Sequence, residues 1–269
     1  MSKYLVDSTD MTAIANAIRS KDGTQTTMTV SDMPTRIQNI PSGGGTDYMA
    51  QRVQGTLSSY TIPDTCTEIS AYAFYNQPIT SITIPNTVRS IRERAFSGTR
   101  LTTITIPDSV TSINAYCFES SLLVSVTFST STVLAMSGYT FYECESLTTL
   151  NNFSIERIRD FSTSKTIPDY CFADTALVGD ISLGNSAKVG SGGFRNLNSS
   201  GILYIHLTQT DTSALSTSYN FYSGAGTRYY SFDLNHCRLV VPYSADHSIL
   251  AAYQTTFPNY SSIMIEETI

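Results

Sequence analysis

Ser81-Ile-Thr-Ile-Pro-Asn-Thr-Val-Arg-Ser-Ile-Arg-Glu-Arg-Ala-Phe96 is followed, 22 residues on, by Thr103-Ile-Thr-Ile-Pro-Asp-Ser-Val-Thr-Ser-Ile-Asn-Ala-Tyr-Cys-Phe118. The same register runs back to Ile62-Pro-Asp64, where Cys66, Ile69, Ala73 and Phe74 fill the columns of Val88/Val110, Ile91/Ile113, Ala95/Cys117 and Phe96/Phe118. Ile79, Leu101 and Leu123 make a further column, and Ile82, Ile104 and Val126 close the unit. A period in the low twenties is that of a solenoid, in which each repeat buries its apolar side only against its neighbours.

Within the unit, Ser81–Pro85 and Thr103–Pro107 alternate apolar and polar residues, the period of a half-buried strand. Proline ends each strand by removing a donor. Stacked in register, these strands form a parallel sheet with the isoleucines inward and Thr61, Thr83, Thr105 and Thr127 as an outward ladder. Beyond Phe128 the phenylalanines carry the register. Tyr139-Thr-Phe141 is followed by Leu147 and Leu150, then by an insertion at 151–166; Ile167-Pro-Asp-Tyr-Cys-Phe172 and Val189 to Phe194 resume the spacing, and Tyr219-Asn-Phe221 is the last instance. About seven coils result. Arg238–Pro242 reads as the final strand, and a closing helix begins at Ser244 or Asp246, runs through Tyr253 and ends before Pro258, with a further strand at Ile263–Ile265.

The pattern x-Ile-x-Ile-Pro-x-x-Val-x-x-Ile-x-x-x-Ala-Phe-x-x-x-x-Leu resembles the BspA-type leucine-rich repeat. The better-known leucine-rich repeat carries asparagine or cysteine after the strand, where this chain has Ile-Pro. The resemblance implies a mainly β, right-handed leucine-rich-repeat solenoid with a parallel sheet, short helical segments and a C-terminal helical cap. Val241-Pro-Tyr-Ser244, Ala252-Tyr253, Phe257, Tyr260 and Ile263 resemble the closing segment that follows such repeats. It also implies an extracellular binding or adhesion module, and carries over no catalytic position.

Residues 3–40 are a different object. Thr9 or Asp10 caps a helix through Met11, Ile14 and Ile18 that stops at Gly23; Ser31 caps a second, with Pro34 in its first turn, and Pro41 ends it. Pro41-Ser-Gly-Gly-Gly-Thr46 reads as a flexible linker. Asp10–Arg19, Lys21-Asp-Gly23 and Met28–Ile37 resemble a short helical module that recurs in virion and tail proteins of phages and prophages of Gram-positive bacteria. The domain reading is a helical attachment module at 1–42, a linker at 43–50, the solenoid at 51–242 and the cap at 243–269. Met1–Asp7 lacks the ~7 to 15 apolar residues of a signal-peptide core. That fits a virion protein assembled in the host cytoplasm; a surface adhesin needs an export signal.

A net charge of −6 gives no basic footprint for nucleic acid, and no run approaches the ~20 apolar residues that span a membrane. Five cysteines cannot complete a disulfide framework. Cys66, Cys117, Cys144 and Cys171 read as small core residues, and Cys237 has no place in the register. His206, His236 and His247 lack ligand spacing, so no metal or cofactor is implied.

The enzyme alternative is a solenoid polysaccharide depolymerase. Asp64 and Asp108 share a column two coils apart, ~9.4 Å at ~4.7 Å per strand, within the ~6.5 to 9.5 Å carboxylate spacing of inverting glycosidases. Both follow a strand-ending proline, where Asp or Asn bonds the local backbone, and Asn86 between them has no charge. Binding surfaces are better supplied. Tyr72, Tyr116, Tyr139, Tyr170 and Tyr219 each precede a phenylalanine by two residues, which makes either an aromatic stripe for carbohydrate or a filling between coils. Arg89, Arg92, Arg94 and Arg100 place four cations in one coil, for a phosphate-rich cell-wall polymer or as a solvated edge. The expectation is a non-enzymatic virion protein, of the tail or a capsid decoration, that binds a bacterial surface protein or cell-wall glycan through the solenoid and other virion proteins through residues 1–42. No nucleic-acid or membrane partner is expected, and a homo-oligomer is one option; the alternative is a bacterial adhesin for host protein or glycan.

Overall fold

The computed structural model describes residues 57–161, 165–184, 187–215, 219–221 and 230–267. The expected attachment module and linker lie outside the described residues. Residues 61–269 form one compact unit, separate from 1–60. In chain order its elements are β1 (Glu68–Ile69), β2 (Ser90–Ile91), β3 (Thr103–Thr105), β4 (Ser112–Ile113), β5 (Ser125–Thr127), β6 (Leu134–Met136), β7 (Thr149–Asn151) and β8 (Ile158–Arg159). There follow β9 (Thr166–Ile167), β10 (Gly179–Leu183), β11 (Ala187–Val189), β12 (Leu203–Leu207), β13 (Tyr219–Phe221), β14 (Cys237–Val241), the helix α1 (Ser248–Thr256) and β15 (Met264–Glu266). They build four parallel sheets, ordered β1-β2-β4-β6-β8, β3-β5-β7, β9-β11-β13 and β10-β12-β14-β15.

Each regular coil therefore adds strands to two sheets, where the alternation pointed to one. The additional sheet is built on the isoleucine column: Ile69, Ile91 and Ile113 pair in register and are buried, while the serines before Ile91 and Ile113 face outward. Two residues suffice, because the turn that follows claims the next backbone groups. Conversely, Ser81–Ile84 does not form the expected strand; only Ser81 makes a bridge, although Ile84 is buried. Thr105, Thr127 and Asn151 do stand in register, as do Thr103, Ser125 and Thr149.

The phenylalanine column is the spine. Phe74, Phe96, Phe118, Phe141, Phe172, Phe194 and Phe232 stack with successive centroids 5.2, 5.3, 5.3, 5.5, 5.5 and 6.1 Å apart and planes within 13° of parallel. That is offset stacking, worth ~0.5–1.5 kcal/mol per pair beyond the buried area. A backbone ladder runs beside it: Phe74, Phe96, Phe118, Phe141, Phe172 and Phe194 donate N–H to Ala95, Cys117, Thr140, Cys171, Gly193 and Ser231 at 2.7–3.0 Å. Adjoining this column, Ala95, Cys117, Cys171 and Gly193 keep side chains small, and the two thiols are wholly buried.

Such a turn needs left-handed backbone on both sides of the phenylalanine. Tyr72, Arg94, Tyr116, Tyr139 and Tyr170, two residues before it, have φ of 52–60°; Asn76, Ser120, Glu143, Asp174 and Asn196, two after it, have φ of 49–57°. Gly98 and Gly192 take the same positions with φ of 68° and 61°. Left-handed backbone costs an L-residue ~1–2 kcal/mol, so the ladders around each turn must over-determine it.

Three expectations are corrected. The insertion does not span 151–166: Asn151 ends β7, Ile155 and Ile158 are core, and β8 pairs with β6, so the departure begins after Arg159, which bridges Lys165 antiparallel. Phe221 is not a column phenylalanine; it lies in β13 opposite Val189 and meets Phe232 edge-on at 79°, while Phe232 is the residue stacked on Phe194. The strand expected at Arg238–Pro242 is β14, which ends at Val241, and the further strand expected at Ile263–Ile265 is β15, paired with it. The closing helix starts at Ser248; the side chains of Asp246 and Ser244 instead accept the N–H groups of Ser248 and Ile249 at 3.1 and 3.2 Å. Two phenols lock the cap: Tyr253 donates to the Gln209 carbonyl at 2.8 Å, and Tyr260 accepts the Ser231 N–H at 2.9 Å. Burial pushes the Tyr260 phenol up to about 12.

Candidate functional site

The exposed polar columns divide into a threonine ladder, a tyrosine stack and charged ridges. Thr61, Thr83 and Thr105 are exposed and Thr127 is half-buried. Of these four, Thr105 and Thr127 sit in paired strands, and the Asn151 amide continues the row by donating to the Thr127 hydroxyl at 3.3 Å. Hydroxyls and amides held at one strand spacing present a repeating set of donors and acceptors.

Tyr116, Tyr139 and Tyr170 stack on one another at 4.7 and 4.9 Å, with planes 21° and 9° apart. Arg94 lies over the outer face of Tyr116 at 4.3 Å and Arg195 lies 5.1 Å from the Tyr170 ring centre. The column ends there because Gly192 has the next position: a Cβ on it would stand 2.8 Å from the Tyr170 ring. The ring faces are thus spent between coils and on two guanidiniums, leaving edges and hydroxyls outward. Burial raises the Tyr139 phenol and lifts Tyr142 to about 12, so both stay neutral hydrogen-bonding groups. Tyr72 lies beyond Arg94, edge-on to Tyr75 at 5.5 Å. Tyr219 departs from the column altogether: it is a residue of β13 opposite Ala187, and its side chain lies outside the described ones. Tyr230 holds the place two before Phe232 and packs edge-on against Tyr260.

The arginine coil carries less charge than its composition. Arg92 pairs with Glu68 at 2.6 Å and Arg94 with Glu119, while Arg89 donates to the Asn86 carbonyl at 3.0 Å and Arg100 is exposed. The Arg92 guanidinium holds the Glu68 carboxyl below its ordinary value. Asp108 accepts from the Ser129 hydroxyl of the next coil, and this bond, with one from Ser131, holds its carboxyl down.

Spacing alone missed the outward face of the second half. On it Asp180, Tyr204 and Arg238 are cross-strand neighbours, Tyr204 is 38 % exposed, and His206 reaches Asp180 at 2.8 Å. Period-two alternation in Leu203-Tyr-Ile-His-Leu207 is the signal that marks it. Among the described residues no helix is long and apolar enough to cross a membrane.

The BspA type leucine rich repeat region matches the chain in six copies, over residues 52–161 and 149–222. No curated protein matches. Among solved structures, a leucine-rich repeat protein from Bacteroides ovatus is similar at 18 % identity and a TM-score of 0.41, over 77 % of this chain and 54 % of that one. A leucine rich cell surface protein from Faecalibacterium prausnitzii is similar at 19 % identity and a TM-score of 0.28, over 67 % of this chain and 63 % of its own. The chain thus spans between about half and two thirds of the length of these two.

Proposed function

We propose that this chain, which belongs to the BspA-type leucine-rich repeat family, is a non-enzymatic binding protein that attaches to a bacterial cell surface through the outward columns of its solenoid. The observation that carries the reading is the register of Thr103, Ser125 and Thr149 beside Thr105, Thr127 and Asn151. Identical spacing on successive coils lets a repetitive partner, such as a cell-wall glycan, engage several coils at once, and each added contact multiplies affinity. The tyrosine edges at Tyr116, Tyr139 and Tyr170 add hydroxyls on the solenoid exterior, and Arg89 and Arg100 add cations for a phosphate-bearing polymer.

The finer reading is a phage or prophage virion protein, with residues 1–42 as its attachment module. It is supported by the resemblance of Asp10–Arg19 and Met28–Ile37 and by nothing in the solenoid. A bacterial adhesin for host protein or glycan is the second reading, favoured by the adhesion role that the repeat implies.

The test is binding of the labelled full chain to a panel of Gram-positive cells, with mucin and matrix proteins alongside. Decoration of some strains supports the proposal, and Thr105→Val with Thr127→Val then weakens it. Binding confined to mucin or matrix transfers the function to the adhesin. Binding to none of them rejects both, and release of soluble sugar from any wall preparation would make the chain an enzyme.

A further inference from the structure

The repeat is broken at one turn, and the break leaves a hollow. Where earlier coils read Ile84-Pro-Asn86 and Ile106-Pro-Asp108, the next reads Phe128-Ser-Thr130. Without proline, the chain closes its turn with side chains: the Ser129 hydroxyl accepts the N–H groups of Ser131 and Thr132 at 3.2 and 3.1 Å and donates to Asp108. One coil further, Asn152 follows Asn151, whose carbonyl accepts the Phe128 N–H at 3.0 Å, and turns away in left-handed backbone, φ 57°. Between these turns lies a shallow, open hollow of ≈ 620 Å³.

Its rim is polar: Asn86, Thr105, Asp108, Thr130 and Asn152. Its apolar parts are the Pro107 ring and the buried Ile106 and Phe128. Sharing Ile106, Phe128, Ser129 and Asn152 with it is a second, partly open space of ≈ 10 Å³, lined also by Arg157 and about the size of one water.

We propose that this hollow binds a single neutral pyranose unit of a glycan, an inference that rests on the surface-binding reading above. The rim and floor select for that chemistry. Amides donate and accept at once, and a carboxylate accepts two hydroxyls, which suits the vicinal hydroxyl pairs of a sugar. The proline ring offers an apolar platform for the C–H face. An anion meets the Asp108 carboxylate. A purely apolar ligand leaves the rim unpaired, at a cost for each polar group. A calcium ion needs six to eight oxygens, whereas Asp108 is the one carboxylate lining the hollow.

The experiment is titration of the ¹⁵N-labelled full chain with methyl glucoside, methyl galactoside and methyl N-acetylglucosaminide, on the order of 10 mM each, where millimolar affinities are read. The expected result is saturating amide shifts at 105–109, 128–132 and 152 with at least one of the three. Asn152→Gly, which keeps the left-handed backbone, and Thr130→Val, which keeps the shape, should each weaken binding about fivefold, as for a lost hydrogen bond. Absence of shifts with all three sugars, shifts confined to other residues such as Tyr204, unchanged affinity in both variants, or the same amides moving with calcium chloride at lower concentration would each overturn the proposal. If sugars fail while the chain still decorates cells, the hollow is wrong and the surface-binding reading stands. If sugars bind and no cell is decorated, the hollow stands and the surface-binding reading falls.

Discussion

Residues 61–151 are the most regular part of the sequence and make the shortest strands, of two or three residues. Residues 179–241 are the least regular and make the longest, with β10, β12 and β14 of five residues each. Regularity of sequence and extent of sheet are therefore separate properties. In the first region Pro85 and Pro107 close two of the extended stretches while β5 and β7 end without proline, and left-handed residues at both edges of the phenylalanine turn take up the rest of the coil. In the second, no proline falls between Pro168 and Pro242, and β10, β12 and β14 reach five residues while β11 and β13 stay at three. What both share is the phenylalanine spine, unbroken from Phe74 to Phe232.

The spine gives the largest way to break the comparison. Phe118→Ala removes a fully buried ring stacked on both sides and should cost ~3–5 kcal/mol in urea denaturation. Phe232→Ala tests the other region. Because each ring touches the next, both variants should shift one common transition; a second transition in either would make the regions independent units.

Proline gives the next. Tyr204→Pro places it in β12, paired on both sides, and should cost ~1–3 kcal/mol through the unpaired backbone group it leaves. Pro107→Ala, past the end of β3, should change stability by under ~1 kcal/mol. Equal effects would remove proline as the reason for the difference in strand length.

Thiol labelling sharpens the comparison without altering the fold. Cys117, Cys144, Cys171 and Cys237 are buried, and burial raises all four thiols, Cys144 to about 12; Cys66 is half-buried. The native protein should therefore react with iodoacetamide at Cys66 alone. In mild urea Cys117 and Cys237 should become reactive together, and earlier reaction at Cys237 would mark the second region as the weaker.

The smallest effect is electrostatic. Because Arg92 lowers the Glu68 carboxyl in the folded chain, the pair stabilises fully above the ordinary glutamate pKa of about 4.3. The contribution is lost as pH falls through the lower folded value. Glu68→Gln should flatten the acid limb of the denaturation midpoint between about pH 2 and 5. An unchanged limb would show the pair to be solvent-screened.

Much of the core was legible because a 22-residue period puts equivalent residues at equivalent depths. Val88/Val110, Ile91/Ile113 and Phe96/Phe118 are all buried. The candidate surface was legible only as columns. That Tyr116, Tyr139 and Tyr170 spend their faces on each other follows from coil spacing close to ring-stacking distance, and that Arg92 and Arg94 are paired follows from Glu68 and Glu119 lying in neighbouring coils. Phe221 was misplaced for a physical reason as well. Tyr219-Asn-Phe221 and Tyr139-Thr-Phe141 look alike locally, and only contact with Phe194 distinguishes the column residue, Phe232, from the strand residue.

By itself, then, the sequence determined the period, the apolar columns and the parallel solenoid, because those depend on which residues recur at which interval. The tertiary structure decided the second short sheet, the two left-handed positions in each turn from Phe74 to Phe194, the true last column phenylalanine and the hollow at Asp108. Each of these depends on what the neighbouring coil places opposite a residue, and a stacked fold sets that across coils rather than along the chain.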